Sequence, residues 1–236
     1  MINITLKDGT VKQYSEETSV ISIAKDISEG LARNVISANF NDKVVEVNSV
    51  INEDGKLEFY TWDNDEGKNA FWHSSSHVMA QSIQELFPGV KLTIGPAINS
   101  GFYYDVDLGS HKISESDFDK IESRMLEICR EKHDFNLRPV SKKEAIKFYK
   151  EEDNDYKLEL INDLKDGEIT FCDHSNFTDL CKGGHIPNTS FIKAVKILNI
   201  SGAFWRADQN NKQLTRVYGI SFPKQKLLKE YLNNIE

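Results

Sequence analysis

His73-Ser74-Ser75-Ser76-His77 and Cys181-Lys182-Gly183-Gly184-His185 each hold two donor side chains four residues apart. On a helix, residues four apart share one face, about one turn from each other. If the two pairs face each other, three imidazoles and one thiol surround a single point. Such a set can hold a metal ion, poise a water for attack, or do both. Gly183-Gly184 allows a tight backbone turn beside a ligand. A lone histidine is more often a core or surface residue than a ligand, so the second pair carries the argument. The first pair is not the zincin motif, because Ser74 stands where that motif requires a glutamate base. A metalloprotease is disfavoured on that ground.

Those donors need a scaffold. Apolar spacing predicts a helix from about Ala70 to Phe87, stopped by Pro88-Gly89. Trp72, Val78, Met79, Ile83 and Leu86 make its buried side, while His73, His77, Ala80 and Gln84 form a neighbouring stripe that can floor a cleft. Upstream, Ile2, Ile4 and Leu6 alternate with polar residues, Asp8-Gly9 makes a turn, and Val11 to Tyr14 returns. A helix capped at Thr18 or Ser19 and stopped at Gly30 follows, then strands near 35–40, 43–47 and 57–60. This order suggests a β-grasp, ubiquitin-like unit over residues 1–62. The polar stretch 63–70 resembles a linker.

Beyond the histidine helix, 93–106 is a glycine- and aromatic-rich strand pair. Helical spacing recurs over Glu115–His133 and Ser141–Lys150, the latter with a Ser141/Glu144 capping box. Residues 151–156 look like a loop. Strand-like stretches follow at Lys157–Leu160, Glu168–Cys172, Ala194–Ser201 and Leu214–Ile220, and a helix over Lys224–Ile235. The fold class is α+β: a small β-grasp domain, then a larger α+β domain whose cleft is lined by the helix carrying His73 and His77.

Of 236 residues, 39% are hydrophobic and 28% charged, ordinary for a soluble protein. No apolar run reaches the length of a membrane span, and the N-terminus lacks the features of a signal peptide. Three cysteines without framework spacing fit a reducing cytoplasm. The net charge of −8 is unevenly spread: residues 1–181 carry 20 basic against 34 acidic side chains, and residues 182–236 carry 9 against 3. The basic C-terminal quarter suggests a face that could meet phosphates.

Six stretches carry a family resemblance: His73-Ser-Ser-Ser-His77, Ile94-Gly-Pro96, Gly101-Phe-Tyr-Tyr-Asp-Val-Asp107, Asp155-Tyr-Lys157, Asp179-Leu-Cys-Lys-Gly-Gly-His185 and Ser201-Gly-Ala-Phe-Trp-Arg206. In order and spacing the chain resembles the N-terminal half of bacterial threonyl-tRNA synthetases, spanning their TGS domain and their second additional, editing domain. The four donors also recur in the alanyl-tRNA synthetase editing-domain superfamily. The resemblance implies a TGS domain over 1–62, an editing domain over 63–224, and over 225–236 the start of a linker helix toward an absent catalytic domain.

It further implies proofreading: hydrolysis of the aminoacyl ester of mischarged seryl-tRNA(Thr). A missing methyl is worth only ~1–3 kcal/mol at a binding site, so errors must be removed by a second site. His73, His77, Lys157, Cys181 and His185 are then the catalytic set, with His73 organising the attacking water and Lys157 donating to the oxyanion or the leaving ribose oxygen. Gly95, Pro96, Tyr104 and Asp179 are the substrate-binding set, Asp179 receiving the ammonium or hydroxyl of the substrate. Zinc could occupy His73, His77, Cys181 and His185, as in the alanyl type. The threonyl type implies that no cofactor is required for editing. Motifs of a class II catalytic domain, and with them an ATP site, are absent from the sequence. The implied partners are the tRNA(Thr) acceptor end and the catalytic and anticodon-binding domains of a longer synthetase. No membrane partner is expected, and the chain alone should be a monomer. A second reading is a tRNA-binding or assembly module in which the same donors hold a structural zinc.

Overall fold

The computed structural model describes residues 1–235; Glu236, the end of the expected 225–236 helix, lies outside them. The chain forms two compact units. One is Met1–Phe71 with Gly183–Pro187, and the other is Trp72–Lys182 with the chain from Asn188 onward.

The first unit opens with a hairpin, β1 (Ile2–Leu6) and β2 (Val11–Tyr14). After β3 (Thr18–Ser19) come α1 (Val20–Ile27) and α2 (Glu29–Asn34). Then follow β4 (Ser37–Phe40), β5 (Lys43–Val45), β6 (Val50–Ile51) and β7 (Gly55–Tyr60). The main sheet has the order β2-β1-β7-β4-β5, with β1 and β7 parallel and the other pairs antiparallel. A hairpin, a helix and a parallel central pair make the expected β-grasp. Alternation buries Ile2 and Ile4 against Val20, Ile23 and Ala24 of α1. Ser19 caps α1 through the Ser22 amide. Gly30 does not stop α1; Ser28 ends that helix and caps α2 by accepting from the Gly30 and Leu31 amides.

Helix α3 runs over Asp65–Leu86. It begins well before Ala70, so most of the stretch read as a linker is its first turns. Asp65 and Glu66 sit in the first turn, where carboxylates favour the positive end of the helix. The boundary between the units falls within this helix, after Phe71. Leu86, expected to be buried, is exposed at its last turn.

The second unit holds two sheets. In the larger, β14 (Ala194–Phe204), β15 (Gln213–Phe222), β10 (Gly101–Asp107) and β8 (Lys91–Leu92) lie in that order, with β9 (Ala97–Ile98) also on β10. Helix α4 (Phe118–Glu131) packs on β14, and α7 (Gln225–Ile235) on β14 and β15. The smaller sheet is β11 (Asn136–Pro139), β12 (Thr170–His174) and β13 (Phe177–Leu180), all antiparallel. Between β11 and β12 lie α5 (Lys142–Glu151), capped by Ser141 through the Glu144 amide, and α6 (Asp155–Asn162). Val140, Ala145, Tyr149, Ile161, Ile169 and Phe171 join these helices to β12 in one core.

Lys157–Leu160 is therefore helix, not strand. Asn154 decides this locally: its Oδ1 accepts from the Lys157 amide at 3.2 Å, and its Nδ2 donates to the Leu92 carbonyl at 2.9 Å. A capped start outweighs a short alternating pattern. No described helix is long and apolar enough to cross a membrane.

Gly101 sits where β10 begins, with φ +102°, and a Cβ there would lie 2.4 Å from the Gly219 carbonyl oxygen. Gly101→Ala should combine backbone strain with a backbone clash and cost roughly 2–4 kcal/mol of stability. Urea unfolding of the two proteins measures the difference.

Candidate active site

Helix α3 places His73 and His77 one turn apart, with their Nε2 atoms 3.2 Å from each other. If they hydrogen-bond, one nitrogen donates and the other accepts. Ser76 holds this turn in place: its Oγ lies 2.7 Å from the His73 carbonyl and 2.6 Å from the Gly95 carbonyl. Strand β13 ends on Leu180, and the next residue, Cys181, returns its amide to the Thr170 carbonyl at 3.1 Å. Its Sγ comes within 3.4 Å of His73 Nε2.

Behind the imidazoles lies Asp179. Its Oδ2 accepts from Tyr104 Oη at 2.6 Å and faces His77 Nδ1 at 3.2 Å. Its Oδ1 meets Lys157 Nζ at 2.5 Å and lies 3.5 Å from Tyr149 Oη. Every one of these side chains is buried, including the Lys157 stem and head. Asp179, expected to receive the ammonium or hydroxyl of a substrate, borders the cavity over this cluster and is met here by four protein donors, which make it the anchor of the cluster.

Burial alone would raise the Asp179 pKa, but the Lys157 ammonium and His77 outweigh it and hold the carboxyl well below its usual range. Burial likewise works against a charged His77, yet Cys181 and Asp179 reverse the balance and raise its pKa. Burial, reinforced by Asp179, pushes the Tyr104 phenol far up, so it remains a donor.

A cavity of about 430 Å³ opens over this cluster, with His73, His77, Gly95, Pro96, Lys157 and Cys181 in its lining. Tyr104 is not in the lining; it stands behind Gly95. A Cβ on Gly95 would fall 2.0 Å from Tyr104 Cδ2, so only glycine lets this wall rest on the ring.

His73, His77 and Cys181 offer ligand atoms within 4.8 Å of one another. Tetrahedral zinc with ordinary bond lengths separates two nitrogens by about 3.3 Å and nitrogen from sulfur by about 3.5 Å. The observed 3.2 and 3.4 Å edges fit that set. Asp179 on His77 Nδ1 is also the carboxylate partner that a ligating imidazole commonly has.

His185 belongs to the Gly183–Pro187 segment, which folds with the first unit. There Glu46 grips it: the carboxylate accepts from the Gly184 amide at 3.0 Å, the His185 amide at 3.1 Å and His185 Nδ1 at 2.9 Å. Gly183 and Gly184 both have positive φ, +99° and +86°, as the expected tight turn requires. Sequence reasoning missed Glu46 and Tyr149. Each is an isolated residue far along the chain from its partner, without a motif to mark it.

Part of the basic C-terminal stretch is paired with carboxylates. Lys196 pairs with Glu122, Arg206 with Glu159 and Asp163, Lys212 with Asp107, and Arg216 with Asp105. Part of the charge asymmetry along the chain thus becomes local pairing in space.

Two consequences can be measured. Asp179→Asn should cost roughly 3 kcal/mol near neutral pH, because it removes a charge from a buried pair. A carboxylate with a lowered folded pKa contributes fully above its unfolded value of about 3.9, and the contribution drains as pH falls toward the folded value. The stability difference between wild type and Asp179→Asn should therefore shrink below about pH 4, as read by denaturant titration across pH. In the first unit, Glu46→Ala should speed hydrogen exchange of the Gly184 and His185 amides about tenfold or more, with other amides of β4 and β7 unchanged.

Comparison with known proteins agrees with this layout. Residues 2–61 match the TGS domain, and residues 169–218 match the threonyl and alanyl tRNA synthetase second additional domain. Over 236 residues, all of this chain, it is 62% identical to threonine–tRNA ligase of Flavobacterium psychrophilum, covering 36% of that protein. The same enzyme of Cytophaga hutchinsonii is 47% identical, again over the whole chain and 37% of its own length. That of Caldanaerobacter subterraneus is 48% identical over 99% of the chain and 36% of its length. The chain spans little more than a third of these relatives, and throughout it matches the N-terminal region of the threonyl-tRNA synthetase family, TGS domain and second additional domain together.

Proposed function

We propose that this chain is the editing part of a threonyl-tRNA synthetase and hydrolyses the aminoacyl ester of seryl-tRNA(Thr). The observation that carries the reading is the Asp179-centred cluster beneath a cavity lined by His73, His77, Lys157 and Cys181. An activated ester needs a positioned water, a proton acceptor and a donor for the developing oxyanion. His73, half-buried and lining the cavity, is the group that holds the attacking water. Its proton passes to the His73–His77 pair, and Asp179 steadies the charge that develops there. Lys157 reaches the same cavity and donates to the oxyanion or the leaving ribose oxygen, fixed in direction by Asp179. Cys181 binds and orients rather than attacks, because direct attack by water suffices for this ester. His185 completes the set by its place in the family motif. Gly95 and Pro96 form the wall that admits serine, with Tyr104 behind them.

The donors His73, His77 and Cys181 would hold zinc where it is present; a bound zinc would lower the pKa of a coordinated water. We assign the hydrolysis to the side chains themselves. On the second reading, a tRNA-binding or assembly module with a structural zinc, the four donors expected from the sequence would serve stability alone.

Deacylation of seryl-tRNA(Thr) beside threonyl-tRNA(Thr), with a chelator present, separates these readings. Selective and rapid release of serine is expected, and His73→Ala should slow it by about 10²–10⁴-fold with folding intact. Loss of activity on chelation, restored by zinc alone, would overturn the metal-free assignment. No release even from a seryl minihelix at high protein concentration, together with unfolding of His73→Ala, would favour the structural-zinc module.

A further inference from the structure

We propose that Tyr149 is a positioning residue for this hydrolysis: its hydroxyl holds the edge strand that carries Asp179 and Cys181. The inference rests on the hydrolytic reading above. Among the described residues, strand β13 is the outermost of its sheet and pairs only with β12, Leu180 opposite Phe171 and Asp179 opposite Cys172. The Cys181 amide turns inward to Thr170. Amides alternate along a strand, so the Leu180 N–H points to the open edge, where no neighbouring strand receives it. It donates instead to Tyr149 Oη at 2.7 Å.

Having accepted from Leu180, the phenol keeps one proton of its own. Asp179 Oδ1, the oxygen that Lys157 holds, lies 3.5 Å away and is where that proton is directed. One hydroxyl thus touches two consecutive residues of the strand, the backbone of one and the carboxylate of the other. Through Asp179 it acts on His77 and Lys157. Through the Leu180 amide it fixes the path into Cys181.

The hydroxyl has little freedom to move. Tyr149 is buried on α5, with Phe148 and Phe171 edge-on to its ring at 4.9 and 5.6 Å. Burial and the Asp179 charge keep the phenol protonated, so it stays a donor toward the carboxylate. Tyr149 does not line the cavity over the imidazoles, so it has no route to the substrate and acts only through its neighbours.

Tyr149→Phe tests this, because it keeps the packed ring and deletes only the hydroxyl. With seryl-tRNA(Thr), kcat should fall about tenfold while KM stays within about twofold. The Leu180 amide should exchange faster, and the thermal midpoint should drop by only about 5 °C. Should Tyr149→Phe fail to fold, ring-fluorinated tyrosine at 149, a weaker acceptor of the same shape, should show a smaller fall in kcat of the same kind. Unchanged kcat in the active variant would overturn the role, as would a rise in KM matching the loss in kcat/KM. A wild-type chain that releases no serine even from the seryl minihelix at high protein concentration would instead overturn the hydrolytic reading itself, and this role with it.

Discussion

A carboxylate removed from water must be given back its hydrogen bonds and its counter-charge, or it will not ionise there. Asp179 receives both from protein groups of four different helices and strands: His77 from α3, Tyr104 from β10, Tyr149 from α5 and Lys157 from α6. The arrangement of those elements around β13 follows from this requirement. Each donor has one reach and one direction, and together they fix where each element meets the strand. Replacing a buried ion pair with well-packed apolar side chains often leaves a protein as stable or more so. What an apolar core could not supply is a histidine pair with one nitrogen committed and the other facing a cavity.

The same anchor separates two kinds of work in one small volume. His77 Nδ1 faces Asp179 while Nε2 meets His73, so the buried imidazole is oriented from one side and reaches the histidine pair with the other. Lys157 has its head held at Asp179 yet borders the cavity. Under the proposed reaction, groups already fixed in direction by Asp179 are the kind of preorganised charge that lowers a barrier.

Much of this was legible in the sequence where residues close in the chain decide the outcome. The β-grasp followed from alternation at Ile2, Ile4 and Leu6, a turn, and a capped helix. The His73–His77 spacing required a helix, and α3 provides it. Lys157 was misread as strand because four residues of alternation were weighed without the Asn154 cap, whose second bond goes to Leu92, 62 positions away. The roles of Asp179 and Tyr149 were hidden for a similar reason. A family motif marks Asp179, but only the fold shows which protein donors meet it. The basic C-terminal quarter is the same lesson in electrostatics, since its partners Glu122, Asp105 and Asp107 come from the acidic part of the chain.

Under the proposed reaction the site must also reject a substrate that differs by one methyl, and a methyl can be refused only by a wall that does not yield. Contact alone does not make such a wall, because side chains in a loose pocket move by more than a methyl radius. Here the backbone of Gly95 rests against the ring of Tyr104, its carbonyl is held by Ser76 on α3, and the Tyr104 hydroxyl is held by Asp179. One carboxylate thus takes part both in holding the wall and in orienting the imidazoles. It follows that selectivity and rate are not independent properties of this cavity. A substitution that loosens Asp179 would slow hydrolysis of the serine ester and, by letting the ring and Gly95 shift, admit the threonine ester as well.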